Sequence, residues 1–105
     1  MAADTLARLE ATIAARRGAA PDTSYVAKLL AGGTPLAARK LGEEAVEVVI
    51  AALAEPEKLV GESADLLFHL MVLLAERDVP FADVLAELDR REGVSGIAEK
   101  AARGA

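Results

Sequence analysis

The sequence predicts an all-α protein, a bundle of about five helices whose core is built around one antiparallel helix pair. Three observations lead there. The chain is 53% hydrophobic but only 3% aromatic, which favours an Ala/Leu/Val helical core over a β-sandwich. Apolar residues recur at i, i+3, i+7 spacing in its first and last long segments. Two apolar runs, Val48 to Ala54 and Leu66 to Ala75, lie on either side of the short break Glu55-Pro56-Glu57. Helices joined so briefly lie antiparallel, and the proline suits the first turn of the second one.

At 105 residues the chain is read as one domain, 1-105, with 93-105 a tail that either forms a short helix or stays loose. Its net charge of −5 argues against general nucleic-acid binding. The absence of cysteine excludes disulfides, zinc-thiolate sites and thiol chemistry. Met1-Ala2-Ala3-Asp4 carries no basic, signal-like start, and Leu66 to Ala75 is too short to span a bilayer. The expectation is a cytoplasmic protein with no membrane partner.

In chain order, Asp4 or Thr5 can cap a first helix with Leu6, Leu9 and Ile13 as its apolar stripe. Arg16 and Arg17 either bind phosphate or complement that helix's C-terminal dipole, and Gly18 stops it. After the loop Gly18-Ala19-Ala20-Pro21, one of Asp22, Thr23 or Ser24 caps a short helix from Tyr25 to Ala31 that ends at Gly32-Gly33. Tyr25, Leu29 and Leu30 are expected to pack inward, and Lys28 is either solvated or reaches a phosphate. Thr34 and Pro35 predict an N-cap and first position for a third helix, about Pro35 to Ala54. Gly42 inside it marks either a close approach by another backbone or ligand, or a tolerated cost of roughly 1 kcal/mol. The fourth helix is expected from about Glu57 to Glu76 or Arg77. A fifth, Phe81 to about Glu92, begins after Asp78-Val79-Pro80 with Phe81, Val84, Leu85 and Leu88 as a core face.

The chemistry is concentrated in two acidic pairs, Glu44/Glu47 and Glu62/Asp65. Each has i,i+3 spacing, which places both carboxylates on one helix face. Each pair runs into an apolar stretch, so the carboxylates are expected to enter a core, where they need a partner. Counted from Pro56, Glu47 and Asp65 both lie roughly 13 Å along their helices. The four can therefore converge between the two helices. Like charges so placed raise one another's pKa, and a hard divalent cation relieves the conflict. Oxygen-only ligands suit magnesium, with manganese possible. Lys40 is either an i,i+4 partner for Glu44 or a contact for a bound anion. His69 shares a face with Glu62 and Asp65. It is a ligand, a group that orients one, a substrate contact or a hydrogen-bonded core residue.

These residues resemble a known family. Ser24-Tyr25-Val26-Ala27-Lys28-Leu29-Leu30, Gly33-Thr34-Pro35, Lys40-Leu41-Gly42-Glu43-Glu44-Ala45-Val46-Glu47, Glu62-Ser63-Ala64-Asp65-Leu66-Leu67-Phe68-His69-Leu70 and Gly93-Val94-Ser95-Gly96-Ile97 are similar to the phosphoribosyl-ATP pyrophosphohydrolases. Those are one branch of the MazG-like all-α NTP pyrophosphohydrolases. The paired E-x-x-E and E-x-x-D indicate only the superfamily; the other segments narrow it. The resemblance implies hydrolysis of 1-(5-phosphoribosyl)-ATP to 1-(5-phosphoribosyl)-AMP and pyrophosphate, the second step of histidine biosynthesis, in a stand-alone form without the fused cyclohydrolase domain. It carries the metal-ligand role onto Glu44, Glu47, Glu62 and Asp65. With it, Ser24, Tyr25, Lys28, Lys40 and His69 become candidates for substrate contacts. Glu43 or Glu44 would orient or deprotonate the attacking water, with Glu47 the third catalytic candidate. A homodimer with a shared bundle is also implied. That agrees with helices apolar on more faces than one small chain can cover.

Three rival readings stand beside it. A general nucleotide-pool pyrophosphatase would keep the site and change the substrate. A ferritin-like di-iron bundle needs Glu-x-x-His, which neither pair supplies. A purely structural helical dimer would leave the carboxylates solvated.

Overall fold

The computed structural model describes residues 2–93 and 96–104, and among these the chain forms six α-helices and one 3-10 turn, with no strand. Helix α1 spans Ala2–Arg16. It starts earlier than the caps predicted, so Asp4 sits in its first turn rather than ahead of it. Ile13 is fully buried, and Leu6 and Leu9 pack beside it against the core. Helix α2, Tyr25–Ala31, is the predicted one, and Ser24 is its cap: its Oγ accepts from the Ala27 amide at 3.2 Å. Leu29 is buried as expected, but Tyr25 stays half exposed.

Helix α3 spans Gly33–Ala54 and α4 spans Leu59–Glu76, with the 3-10 turn Pro56–Lys58 between them. The two pack along their lengths as the central hairpin. Glu57 thus belongs to the turn, and α4 starts at Leu59. Thr34 is not the cap of α3. Gly32 holds that position, where a methyl group would overlap Leu36, and the Thr34 hydroxyl instead donates to Glu76 Oε2 at 2.5 Å. At Gly42 nothing among the described residues outside its own helix turn comes within 4 Å of where a Cβ would sit, so no backbone approach among them explains it.

Helix α4 ends in a Schellman motif. The Asp78 amide donates to the Ala75 carbonyl and the Val79 amide to the Leu74 carbonyl, with Asp78 in the left-handed region at φ 57°. Arg17 closes this end: its guanidinium donates to the Ala75 carbonyl and pairs with Asp78 at 3.4 Å. Of the predicted Arg16/Arg17 roles, dipole complementation is therefore seen for Arg17, at a neighbouring helix rather than its own. Helix α5 spans Phe81–Arg91, and its first amide, on Phe81, is capped across the fold by Glu10 Oε2 at 2.9 Å. Helix α6, Gly96–Arg103, supplies the tail. Val94 and Ser95 of the tail motif lie outside the described residues.

The core gathers Ile13, Leu29, Met71, Val72 and Phe81, with Leu36, Phe68 and Val84 against it. It covers one face of the hairpin only. On the other, Val46, Val49, Ile50, Leu53, Val60 and Leu67 are exposed, Leu53 to 83% and Val60 to 84%. Of the apolar run after Glu47, Ala51 alone is fully buried and Val48 is half-buried; the rest lies exposed in a single chain, contrary to expectation. One 105-residue chain has too few helices to cover both faces. The radius of gyration, 15.7 Å, exceeds the roughly 13 Å of a compact domain this size.

Candidate active site

The hairpin brings three of the four predicted carboxylates together. Glu44 and Glu47 from α3 and Glu62 from α4 each offer an oxygen, and these oxygens lie within 4.8 Å of one another. Asp65 is exposed and lies outside this triad. Its charge is still close enough to act on both Glu44 and Glu62.

The electrostatics of the triad are those of crowded anions. The Glu44 carboxyl is raised above the usual range, first by burial and then by the neighbouring Glu47 carboxylate. That of Glu62 is raised first by its contact with the Glu47 carboxyl, then by burial and by the charge of Glu47. Glu44 Oε2 and Glu62 Oε2 are both shut off from solvent and have no hydrogen-bond partner. Shielded polar atoms without partners are rare in native proteins, and two in one cluster of oxygens fit a hard cation as the missing partner. A cleft of about 250 Å³ opens from the triad towards the turn, lined by Glu47, Ile50, Ala51, Glu55, Lys58 and Glu62.

Glu43, the other candidate for the water, is turned away from the triad. Lys40 Nζ donates to its Oε1 at 3.2 Å and Arg39 lies 3.8 Å from its Oε2. Lys40 is thus an i,i+3 partner of Glu43, not the i,i+4 partner of Glu44. Lys58 pairs with Glu55 at 3.1 Å.

His69 is buried, with 6% exposure, and both ring nitrogens are engaged. Nδ1 faces the Asp65 carbonyl at 2.8 Å and must donate to it. Nε2 then accepts from the Tyr25 hydroxyl at 3.0 Å. The rings of Phe68 and Tyr25 meet the imidazole edge to face at 5.0 and 5.9 Å. A metal or substrate contact by His69 would have to displace one of these bonds. Beyond Tyr25 lies a cleft of about 630 Å³ lined by Pro21, Asp22, Thr23, Ser24, Tyr25 and Lys28. Sequence reasoning missed Asp22 as a site candidate, having weighed it only as a cap. Its adjacency to Ser24 and Tyr25 was the available signal.

An all-α hairpin that holds clustered carboxylates with unpartnered oxygens is the arrangement expected of the MazG-like pyrophosphohydrolase class, and the comparisons with known proteins place the chain there. The family model described as phosphoribosyl-ATP pyrophosphohydrolase matches residues 6–92. The chain is 73% identical over 100 residues to a phosphoribosyl-ATP pyrophosphatase of Rhizorhabdus wittichii, covering 94% of each chain. It is 68% identical to one of Novosphingobium aromaticivorans, over 95% of this chain and 94% of the relative. A third, of Erythrobacter litoralis, is 67% identical over 96% and 98%. The chain belongs to the phosphoribosyl-ATP pyrophosphohydrolase family.

Proposed function

We propose that this chain hydrolyses phosphoribosyl-ATP to phosphoribosyl-AMP and pyrophosphate, the second step of histidine biosynthesis, as a single-domain enzyme of the cytoplasm. The observation that carries the reading is near-full-length identity of 67–73% to relatives of that name. Among the described residues no helix is long and apolar enough to cross a membrane, which is compatible with that location.

Glu44, Glu47 and Glu62 would hold magnesium, or manganese in its place, and Asp65 would join after a change of rotamer. Such an ion, when bound, neutralises charge on the phosphate oxygens and stabilises the leaving pyrophosphate. The chain's own part is to fix those oxygens in a sheltered zone and to orient the water that attacks the α–β linkage. Glu43 has both oxygens engaged by cations of its own helix, so we give the water to Glu44. Glu47 contacts both other members of the triad and keeps them in register. Lys40 would hand over from Glu43 to the triphosphate. Ser24, Tyr25, Lys28 and His69 serve the rest of the substrate.

The exposed Val46, Val49, Ile50, Leu53, Val60 and Leu67 stripe favours a homodimer through the hairpin's open face. Gly42, exposed and without a neighbour, would admit a partner backbone. The net charge of −5 supports a small-molecule substrate over nucleic acid. The deciding experiment sets phosphoribosyl-ATP against a panel of ordinary NTPs with magnesium and scores pyrophosphate release by kcat/KM. A preference of at least 100-fold for phosphoribosyl-ATP is expected. Equal rates across the panel would favour the nucleotide-pool reading.

A further inference from the structure

Phosphoribosyl-ATP carries two anionic arms, a triphosphate and a separate ribose 5-phosphate on the purine. The triad answers the first arm through a cation. Of the cations around it, Lys40 and Arg39 are tied to Glu43 and Lys58 to Glu55. Lys28 is different: it lines the 630 Å³ cleft with no carboxylate partner among the described residues. Asp22 lines the same cleft and is likewise unpaired. The Ser24 oxygen accepts from the Ala27 amide, which leaves its own hydroxyl proton to donate.

The set is chemically specific. A free ammonium suits a phosphate monoester, and a free carboxylate accepts from sugar hydroxyls. A hydroxyl donor completes the complement of a ribose phosphate. The cleft is also joined to the catalytic hairpin. Tyr25 forms its wall and donates to His69, which donates to the Asp65 carbonyl, so two hydrogen bonds and one imidazole link the cleft to the backbone of α4 three residues from Glu62.

We propose that the cleft between Pro21 and Lys28 is the subsite for the phosphoribosyl arm, with Lys28 on its 5-phosphate and Asp22 on its ribose hydroxyls, and that it selects phosphoribosyl-ATP over nucleotides lacking that arm. This rests on the pyrophosphohydrolase reading of the chain. The Tyr25–His69 pair acts as the positioning element that sets the subsite's distance from the triad.

Two measurements test it. Lys28→Met keeps the aliphatic stem and removes the charge. It should lower kcat/KM for phosphoribosyl-ATP about 10- to 100-fold, mostly through KM, with the magnesium dependence of turnover unchanged; Lys28→Arg should recover most of the loss. In a separate arm without metal, ribose 5-phosphate is titrated into the wild-type protein and followed by amide NMR. Shifts should concentrate at residues 21–28 and vanish in Lys28→Met. A Lys28→Met enzyme with wild-type KM, or ribose 5-phosphate shifts centred elsewhere or absent, would overturn the subsite. If the wild-type protein released no pyrophosphate, the hydrolase reading would fall, and the NMR arm would still decide the cleft.

Discussion

Helix α4 carries two polar regions, one near each end, and they are built to opposite rules. At its C-terminal end every polar group named is answered. Arg17 caps the Ala75 carbonyl and pairs with Asp78, Thr34 donates to Glu76, and nearby Glu10 caps Phe81 of α5. Towards its N-terminal end Glu62 meets Glu44 and Glu47, and two shielded oxygens go unanswered. The first region uses its polar groups to hold helices together. The second keeps anions crowded at a cost in stability, and that cost makes sense only if something else binds there. The lesson is that the number of polar residues does not mark a site; their unmet hydrogen bonds do.

The largest effect should come from breaking the second region. Glu47→Gln should lower turnover at saturating magnesium by at least 1000-fold, with the helical circular dichroism spectrum unchanged. A variant retaining wild-type kcat would remove the triad from catalysis. On the open face of the hairpin, Leu53→Lys should convert a dimer to a monomer by analytical ultracentrifugation and weaken folding with it, since one small chain leaves that face bare.

Breaking the first region should touch stability and spare the chemistry. Glu10→Ala removes the cap of α5 and should cost about 1 kcal/mol in urea unfolding, with KM for phosphoribosyl-ATP unmoved. If it cut kcat by more than tenfold at full folding, the contrast between the two regions would be wrong.

Acid and base limbs sharpen the same contrast with smaller effects. Glu44 and Glu62 have folded-state pKa values raised above 4.5, so the folded protein holds more protons than the unfolded one just above that pH. Stability without metal should therefore fall as pH rises from 4.5 through their raised values, and magnesium should flatten that slope. Glu87, beside Arg90 and Arg91, is lowered to about 2. Its contribution is present above pH 4.5 and lost as pH falls towards about 2. With its side chain half exposed, it should move the acid limb only slightly, and Glu87→Gln measures by how much.

Much of this was legible in the sequence for reasons of local physics. The hairpin followed from two apolar runs around Glu55-Pro56-Glu57, and α2 from the capping residues Asp22, Thr23 and Ser24 before it and Gly32-Gly33 after it, with the choice of Ser24 left to the structure. The convergence of carboxylates followed from i,i+3 spacing on antiparallel helices, although the two counted as level from the turn were Glu47 and Asp65, and Asp65 is the one outside the triad. What could not be read there depends on distant partners. Glu10 reaches Phe81 and Thr34 reaches Glu76 across the fold, and no local pattern announces either pairing. Asp65 looked equivalent to Glu62 by spacing, but it is exposed and its oxygens do not join the cluster, which the spacing alone does not tell. The open face of the hairpin read as core because apolar periodicity does not say whether the covering surface comes from the same chain.

The most direct test of the central claim is pyrophosphate release from phosphoribosyl-ATP as magnesium is raised from excess EDTA to saturation. The triad predicts no turnover in EDTA and a saturable rise with magnesium, absent in Glu47→Gln. Turnover at the full rate with all divalent cations chelated would contradict it.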